Sequence, residues 1–261
     1  MGVVEGGMRR CWMLIVLVLA GCSATVPSSP TSVRSPTAAG EVAVPAKAPG
    51  GEQSVVHISG EAPSCDVRLK GTGFVYAPQR VVTAAHVVAG VIPVAPVVTT
   101  ADGEVYEGRV VAFDPDADVA VLYVPKLPAP PLRITRMSTF PLRIPGVSLG
   151  DARMLSYPKG AKHVVTQQVK IEERIEGESR DIYEKHDVSR IMFAVSGPMS
   201  TGVSGAPLIV EDGTVGGMMV AMAKDDPDRG YALAAEEILP VANEATNATR
   251  HVSTRKCRRD R

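Results

Sequence analysis

Three short stretches of this sequence carry residue types that can do chemistry together. "STGVSGAPLIV", residues 200–210, places Ser204 between Gly202 and Gly205, with Pro207 ahead of an apolar run. "RVVTAAHVVAG", residues 80–90, runs an apolar segment into Thr83 and two alanines before His86. "FDPDADVAVLYV", residues 113–124, offers Asp114, Asp116 and Asp118. A serine hydroxyl is a weak nucleophile until a base removes its proton. Imidazole can do that near neutral pH, and a sequestered carboxylate can fix the imidazole tautomer. Small residues before His86 let the chain turn closely at a strand end, so that the ring faces a cleft. An acid directly before "VAVL" lies at the mouth of a buried strand, where it can be aimed at a ring nitrogen. Glycine at 202 leaves room for a substrate and lets the peptide unit turn its N–H toward a developing oxyanion, beside the N–H of Ser204. Each stretch alone has an ordinary meaning: a turn between strands, a core histidine at a helix start, an exposed acidic loop. The full set in this order is far harder to obtain by accident.

The Gly-x-Ser-Gly-x-Pro pattern of residues 202–207 resembles the nucleophile loop of trypsin-like serine proteases. Thr83 to Val87 resembles the stretch that carries their catalytic histidine. Their pattern of Asp, aliphatic, Ala and two aliphatics selects Asp118, leaving Asp114 and Asp116 as turn residues beside Pro115. The order His, Asp, Ser is that of the chymotrypsin type and differs from subtilisins and α/β-hydrolases. The resemblance implies an all-β, two-barrel chymotrypsin-like fold with a C-terminal helix. It implies Ser204 as nucleophile, His86 as general base and acid, and Asp118 as the group that orients His86. The N–H groups of Gly202 and Ser204 would form the oxyanion hole.

A closer resemblance covers residues 65–257. "GTGFVYAPQRVVTAAHVVAG", "VVAFDPDADVAVLYVPKLPAPPL", "LSYPKG" and "VGGMMVAMAKDDPDRGYAL" look like the periplasmic acid-resistance proteases of mycobacteria, the MarP type, a branch near the HtrA proteases. Two departures stand in the nucleophile loop, which in that family reads Gly-Asp-Ser-Gly-Gly-Pro. Val203 replaces the Asp and Ala206 replaces the last Gly. Val203 accepts no hydrogen bond through its side chain, which raises the alternative of a silent pseudoprotease that binds peptides or acts as a scaffold. By the same resemblance, Pro198, Met199 and Met222 would line the primary pocket. No acid sits at its expected floor, so a small or medium apolar side chain before the scissile bond is expected. Neither the family's several N-terminal membrane helices nor a PDZ domain is recognisable, so an HtrA-style peptide switch is not expected.

The elements that would position these residues are short apolar, β-branched runs separated by turn signals, beginning near Gln53. Scarce aromatics (4%) with 24 Gly and 21 Pro favour many short strands over a helix bundle. "EDGT", 211–214, reads as a hairpin turn, and "HVVTQQVKIEERI" as a half-exposed strand. "AAEEILPVANEAT", 234–246, predicts the closing helix despite Pro240. Residues 54–261 are read as one protease domain, expected to be monomeric.

Upstream, Arg9 and Arg10 precede the apolar run "CWMLIVLVLAG", too short to span a bilayer and suited to a secretion signal. It ends in "LAGC", which resembles a bacterial lipobox, so residues 1–22 read as a lipoprotein signal with Cys22 as the lipidated N-terminus. Met8 is a candidate start. Residues 23–53, rich in Pro, Ser, Ala, Thr and Gly, read as a flexible tether. The expected location is the cell envelope, on the outer face of the cytoplasmic membrane, with an exported protein or peptide as substrate. Cys11 lies within the signal, leaving Cys65 and Cys257 as either a disulfide or two buried thiols. The MarP-type family carries a disulfide from the domain start to its C-terminus, and these two cysteines occupy the matching places. A formal net charge of zero argues against nucleic acid as a partner. His57, His163, His186 and His251 match no motif, no Cys–His grouping has zinc spacing, and no metal or other cofactor is expected.

Overall fold

In a computed structural model, the described residues are 50–91, 95–137 and 148–257. Cys22 and most of the tether lie outside them. Among the described residues, no helix is long and apolar enough to cross a membrane.

The first half curls into a seven-stranded antiparallel sheet. Its strands are β1 (Val55–Ala62), β2 (Val67–Ala77), β3 (Arg80–Thr83), β4 (Val97–Thr99), β5 (Val105–Glu107), β6 (Arg109–Asp114) and β7 (Val119–Tyr123). Their order is β5-β4-β1-β2-β3-β7-β6. A single-turn helix, α1 (Ala85–Val88), follows β3 directly. Six further strands close a barrel in the order β10-β13-β12-β11-β8-β9. These are β8 (Gly150–Ser156), β9 (Val165–Arg180), β10 (Asp187–Ser196), β11 (Pro207–Ile209), β12 (Val215–Met222) and β13 (Arg229–Ala234). The expected two-barrel, all-β architecture is present. Two runs of apolar side chains fill it, one around Phe74, Val82 and Leu122, the other around Met154, Phe193, Leu208 and Met219.

Gly50–Gln53, read from composition as the end of the tether, are held to the second barrel. Arg153 donates to the Gly50 carbonyl (2.8 Å) and Thr166 to the Glu52 carboxylate (3.2 Å). A short 3-10 turn, Glu52–Ser54, then leads into β1.

The closing helix α2 spans Ala235–Ala245 and runs through Pro240. Its buried residues Ala235, Ile238, Ala242 and Ala245 follow the 3–4 spacing of one helical face. Pro240 is exposed, so the missing N–H frees the Glu236 carbonyl rather than a core group. Arg80, buried and stacked 4.3 Å from the Tyr123 ring, donates to the Ala245 carbonyl (3.3 Å) and closes the helix C-terminus.

The chain beyond α2 is pinned to the first sheet by Val252 N–H to Val110 O (2.9 Å) and Gly90 N–H to Thr254 O (3.1 Å). It ends in the Cys65–Cys257 disulfide, with Cα atoms 6.0 Å apart and a sequence separation of 192. Gly90, at φ +75°, passes so close to Cys257 that a Cβ there would overlap its backbone nitrogen. Closing so long a loop in the unfolded chain is worth at most about 5 kcal/mol by chain entropy. Replacing both cysteines with alanine is expected to cost about 2–5 kcal/mol, read as a lower thermal midpoint that reductant no longer changes.

Candidate active site

β3 is buried along its whole length and delivers the chain into α1. Within that turn Ala85, Val87 and Val88 point inward, while the His86 side chain is 37% exposed. One polar ring is thus presented outward from an otherwise apolar turn.

The carboxylate that meets it comes from the β6–β7 turn. Asp114 accepts the N–H groups of Asp116 and Ala117, both at 2.9 Å, and so folds the turn. Asp118 closes it at φ +58°, a left-handed conformation that Asp tolerates better than most side chains. Asp118 is only 6% exposed, and its charge is met from two sides. Its Oδ1 accepts the backbone N–H of His86 (3.0 Å), and its Oδ2 faces His86 Nδ1 at 2.8 Å. Its own carbonyl accepts the Ala85 N–H (3.1 Å). A carboxylate against Nδ1 makes that nitrogen the donor and leaves Nε2 as the basic atom.

The Ser204 loop is fixed by a threonine to which sequence reasoning assigned no role. Thr72, in β2 and fully buried, donates its N–H to the Ser204 carbonyl (2.9 Å) and its hydroxyl to the Gly202 carbonyl (2.8 Å). The same hydroxyl accepts the Tyr157 N–H (2.9 Å), and the Thr72 carbonyl accepts the Thr83 hydroxyl (2.7 Å). This one residue ties the serine loop to β8 and to the strand end that leads into His86. Gly205, at φ +85°, lies against the same junction: a Cβ there would overlap the Thr72 carbonyl oxygen. The signal was present as Thr between two glycines in "GTGFVYA", which marks close backbone approach.

Gly202 has φ +101°, and a Cβ on it would overlap the Tyr157 carbonyl oxygen. The Thr201 carbonyl accepts the Lys159 N–H (2.7 Å), which anchors the Thr201–Gly202 peptide. In a trans peptide the N–H points opposite to the carbonyl, so the Gly202 N–H faces away from Lys159. Among the described residues, neither the Gly202 nor the Ser204 N–H has a backbone acceptor.

Val203 and Ala206 are explained by packing. Val203 is 2% and Ala206 0% exposed, and both join the second apolar cluster with Met154, Phe193 and Met219. Ala206 does not have positive φ. The loop is held from below by buried apolar contact, where an acid would need a partner. Of the pocket residues, Met199 donates its N–H to the Pro227 carbonyl (3.1 Å), and its sulfur lies close over Gly230. The Pro198 carbonyl accepts the Gln167 amide (3.2 Å), and Met222 is exposed at 38%.

Among the other histidines, His57 packs against the Tyr157 ring and His186 Nε2 lies 3.2 Å from Asp116 Oδ1. Burial holds the His57 pKa below its usual value, with Lys70 adding to the effect.

Thr72→Val keeps the shape but removes the hydroxyl, leaving the Gly202 carbonyl and the Tyr157 N–H without it. The expected cost is about 1–3 kcal/mol for each orphaned group, measured by urea unfolding. Thr72→Ser is expected to recover most of it.

Comparison with known proteins places this geometry. Residues 71–218 match the trypsin-like peptidase domain. The chain is 39% identical over 188 residues to the serine protease Rv3671c of Mycobacterium tuberculosis, covering 72% of this chain and 45% of that protein. It thus spans under half the length of that relative. The crystal structure of the active form of the Rv3671c protease overlays with a TM-score of 0.71 at 37% identity, over 79% of this chain and 86% of that one. An inactive form overlays at 0.61 with 35% identity, over 74% and 89%. The HtrA-type protease AlgW with a tripeptide shares the fold, with a TM-score of 0.62 at 17% identity over 76% and 61%. The chain belongs to the trypsin-like peptidase family, as a serine protease domain related to Rv3671c.

Proposed function

We propose that this protein is a serine endopeptidase of the cell envelope that hydrolyses peptide bonds of exported proteins. The observation that carries this is the His86 ring held at Nδ1 by the buried Asp118, with the serine loop tied through Thr72 to Thr83 at the end of the strand that leads into His86. In this reading Ser204 Oγ attacks the substrate carbonyl while His86 Nε2 takes its proton. The tetrahedral oxyanion accepts hydrogen bonds from the Gly202 and Ser204 N–H groups. Losing one such donor typically costs about 3 kcal/mol in the transition state. His86 then gives the proton to the leaving amine, and the acyl-enzyme is hydrolysed by water activated in the same way. Asp118 holds the ring through Nδ1 and stabilises the imidazolium.

The finer features rest on the sequence. A lipid on Cys22 would hold a monomer at the outer face of the cytoplasmic membrane, with residues 23–49 as spacer. A role in acid or oxidative stress follows only from the likeness to the acid-resistance proteases. Met199 over Gly230 would leave a shallow primary pocket, consistent with a small or medium apolar side chain before the scissile bond.

A fluorophosphonate probe is expected to label the full chain, and labelling is expected to vanish in Ser204→Ala. Absence of labelling in the wild type would favour the pseudoprotease alternative. Val203→Asp is expected to reduce labelling, because it buries an unpaired charge at a cost of several kcal/mol. In a peptide panel, Met199→Ala is expected to move preference toward larger apolar side chains, read as kcat/KM ratios. Cys22→Ser is expected to shift the protein from the membrane to the soluble fraction.

A further inference from the structure

The β9–β10 hairpin is longer than the barrel requires, and its tip, residues 181–186, docks on the turn that carries Asp118. Ile182 donates its N–H to the Pro115 carbonyl (3.2 Å). Arg190, nearly buried, donates Nε to the Asp116 carbonyl (2.6 Å) and holds Ser179 with its other arm (2.9 Å). These contacts fix three metal-type donors together. Asp116, Asp181 and His186 each offer a ligand atom, and the three atoms all lie within 4.8 Å of one another.

Asp181 sets this group apart from an ordinary surface ion pair. It is 2% exposed. Its Oδ1 accepts the Lys185 N–H (2.5 Å), but its Oδ2 is buried with no hydrogen-bond partner. A buried carboxylate oxygen left without a partner is costly, and a cation would satisfy it.

We infer that Asp116, Asp181 and His186 form a site for a divalent transition-metal ion, with Zn2+ as the best match. The imidazole disfavours Ca2+ and Mg2+, which take oxygen ligands. The 3.2 Å between Asp116 Oδ1 and His186 Nε2 suits two ligands of one tetrahedral zinc, whose bonds of roughly 2.0–2.1 Å put neighbouring ligand atoms about 3.3 Å apart. Three protein ligands leave a fourth position for water. The ion would cross-link the hairpin tip of the second barrel to the β6–β7 turn of the first sheet, two residues before Asp118. It is separate from the hydrolytic site and takes no part in the acyl chemistry.

The test is titration of the purified full chain with Zn2+ by calorimetry, with thermal melting alongside. One equivalent is expected to bind the wild type and to raise its melting midpoint. His186→Ala, at an exposed position, is expected to weaken binding at least tenfold and to abolish the midpoint shift. Asp181→Asn, which keeps an acceptor for the Lys185 N–H, is expected to do the same. His86→Ala is expected to bind as the wild type does, which separates this site from zinc captured by the catalytic imidazole. No uptake by the wild type, equal affinity in His186→Ala, or loss in His86→Ala instead would each overturn the inference.

Discussion

A carboxylate buried to 6% exposure must be compensated, and the arrangement around Asp118 follows from that requirement. The His86 N–H and ring both turn to it. To reach them, Asp118 takes a left-handed backbone, and Asp114 folds the preceding turn to allow it. The orientation of the His86 ring is therefore set by the cost of leaving a buried carboxylate unmet.

The serine side obeys a different constraint. The loop from Ser200 to Ala206 belongs to the closed barrel, but its position relative to His86 depends on the first sheet. Thr72 resolves this by bonding through its N–H, its carbonyl and its hydroxyl at one buried point. Val203 and Ala206 anchor the same loop from the barrel side. Polar groups fix the loop above and apolar groups fix it below, so a valine at 203 is consistent with an ordered loop.

Much of this was legible in the sequence where the signal is local. β12 occupies 215–222 as its apolar run suggested, Gly213 turns the hairpin with φ +80°, and α2 begins and ends within one residue of its apolar pattern. Three-residue β4 carries too short a pattern to stand out. "YEGRVVAF" splits into β5 and β6 at Gly108, where a side chain would crowd Leu122. The choice of Asp118 among three candidates needed the family resemblance, because local chemistry allows all three to sit in a turn. Val203 read as a lost acceptor because its burial comes from strands distant in sequence. The docking of residues 181–186 on the Asp118 turn is equally non-local, and no periodicity in "SRDIYEKHD" announces it.

The Cys65–Cys257 bridge also decides what a cut in the backbone would do. It encloses β2 to β13, the linker between the two sheets and α2 in one covalent ring, with β1 just ahead of it in the chain. A single nick anywhere between the two cysteines opens that ring without releasing a fragment. The two pieces remain one molecule, and the strands on either side of the cut stay paired with neighbours they cannot diffuse away from. A domain closed in this way can be clipped once, by itself or by another enzyme, and still present His86, Asp118 and Ser204 on a single body.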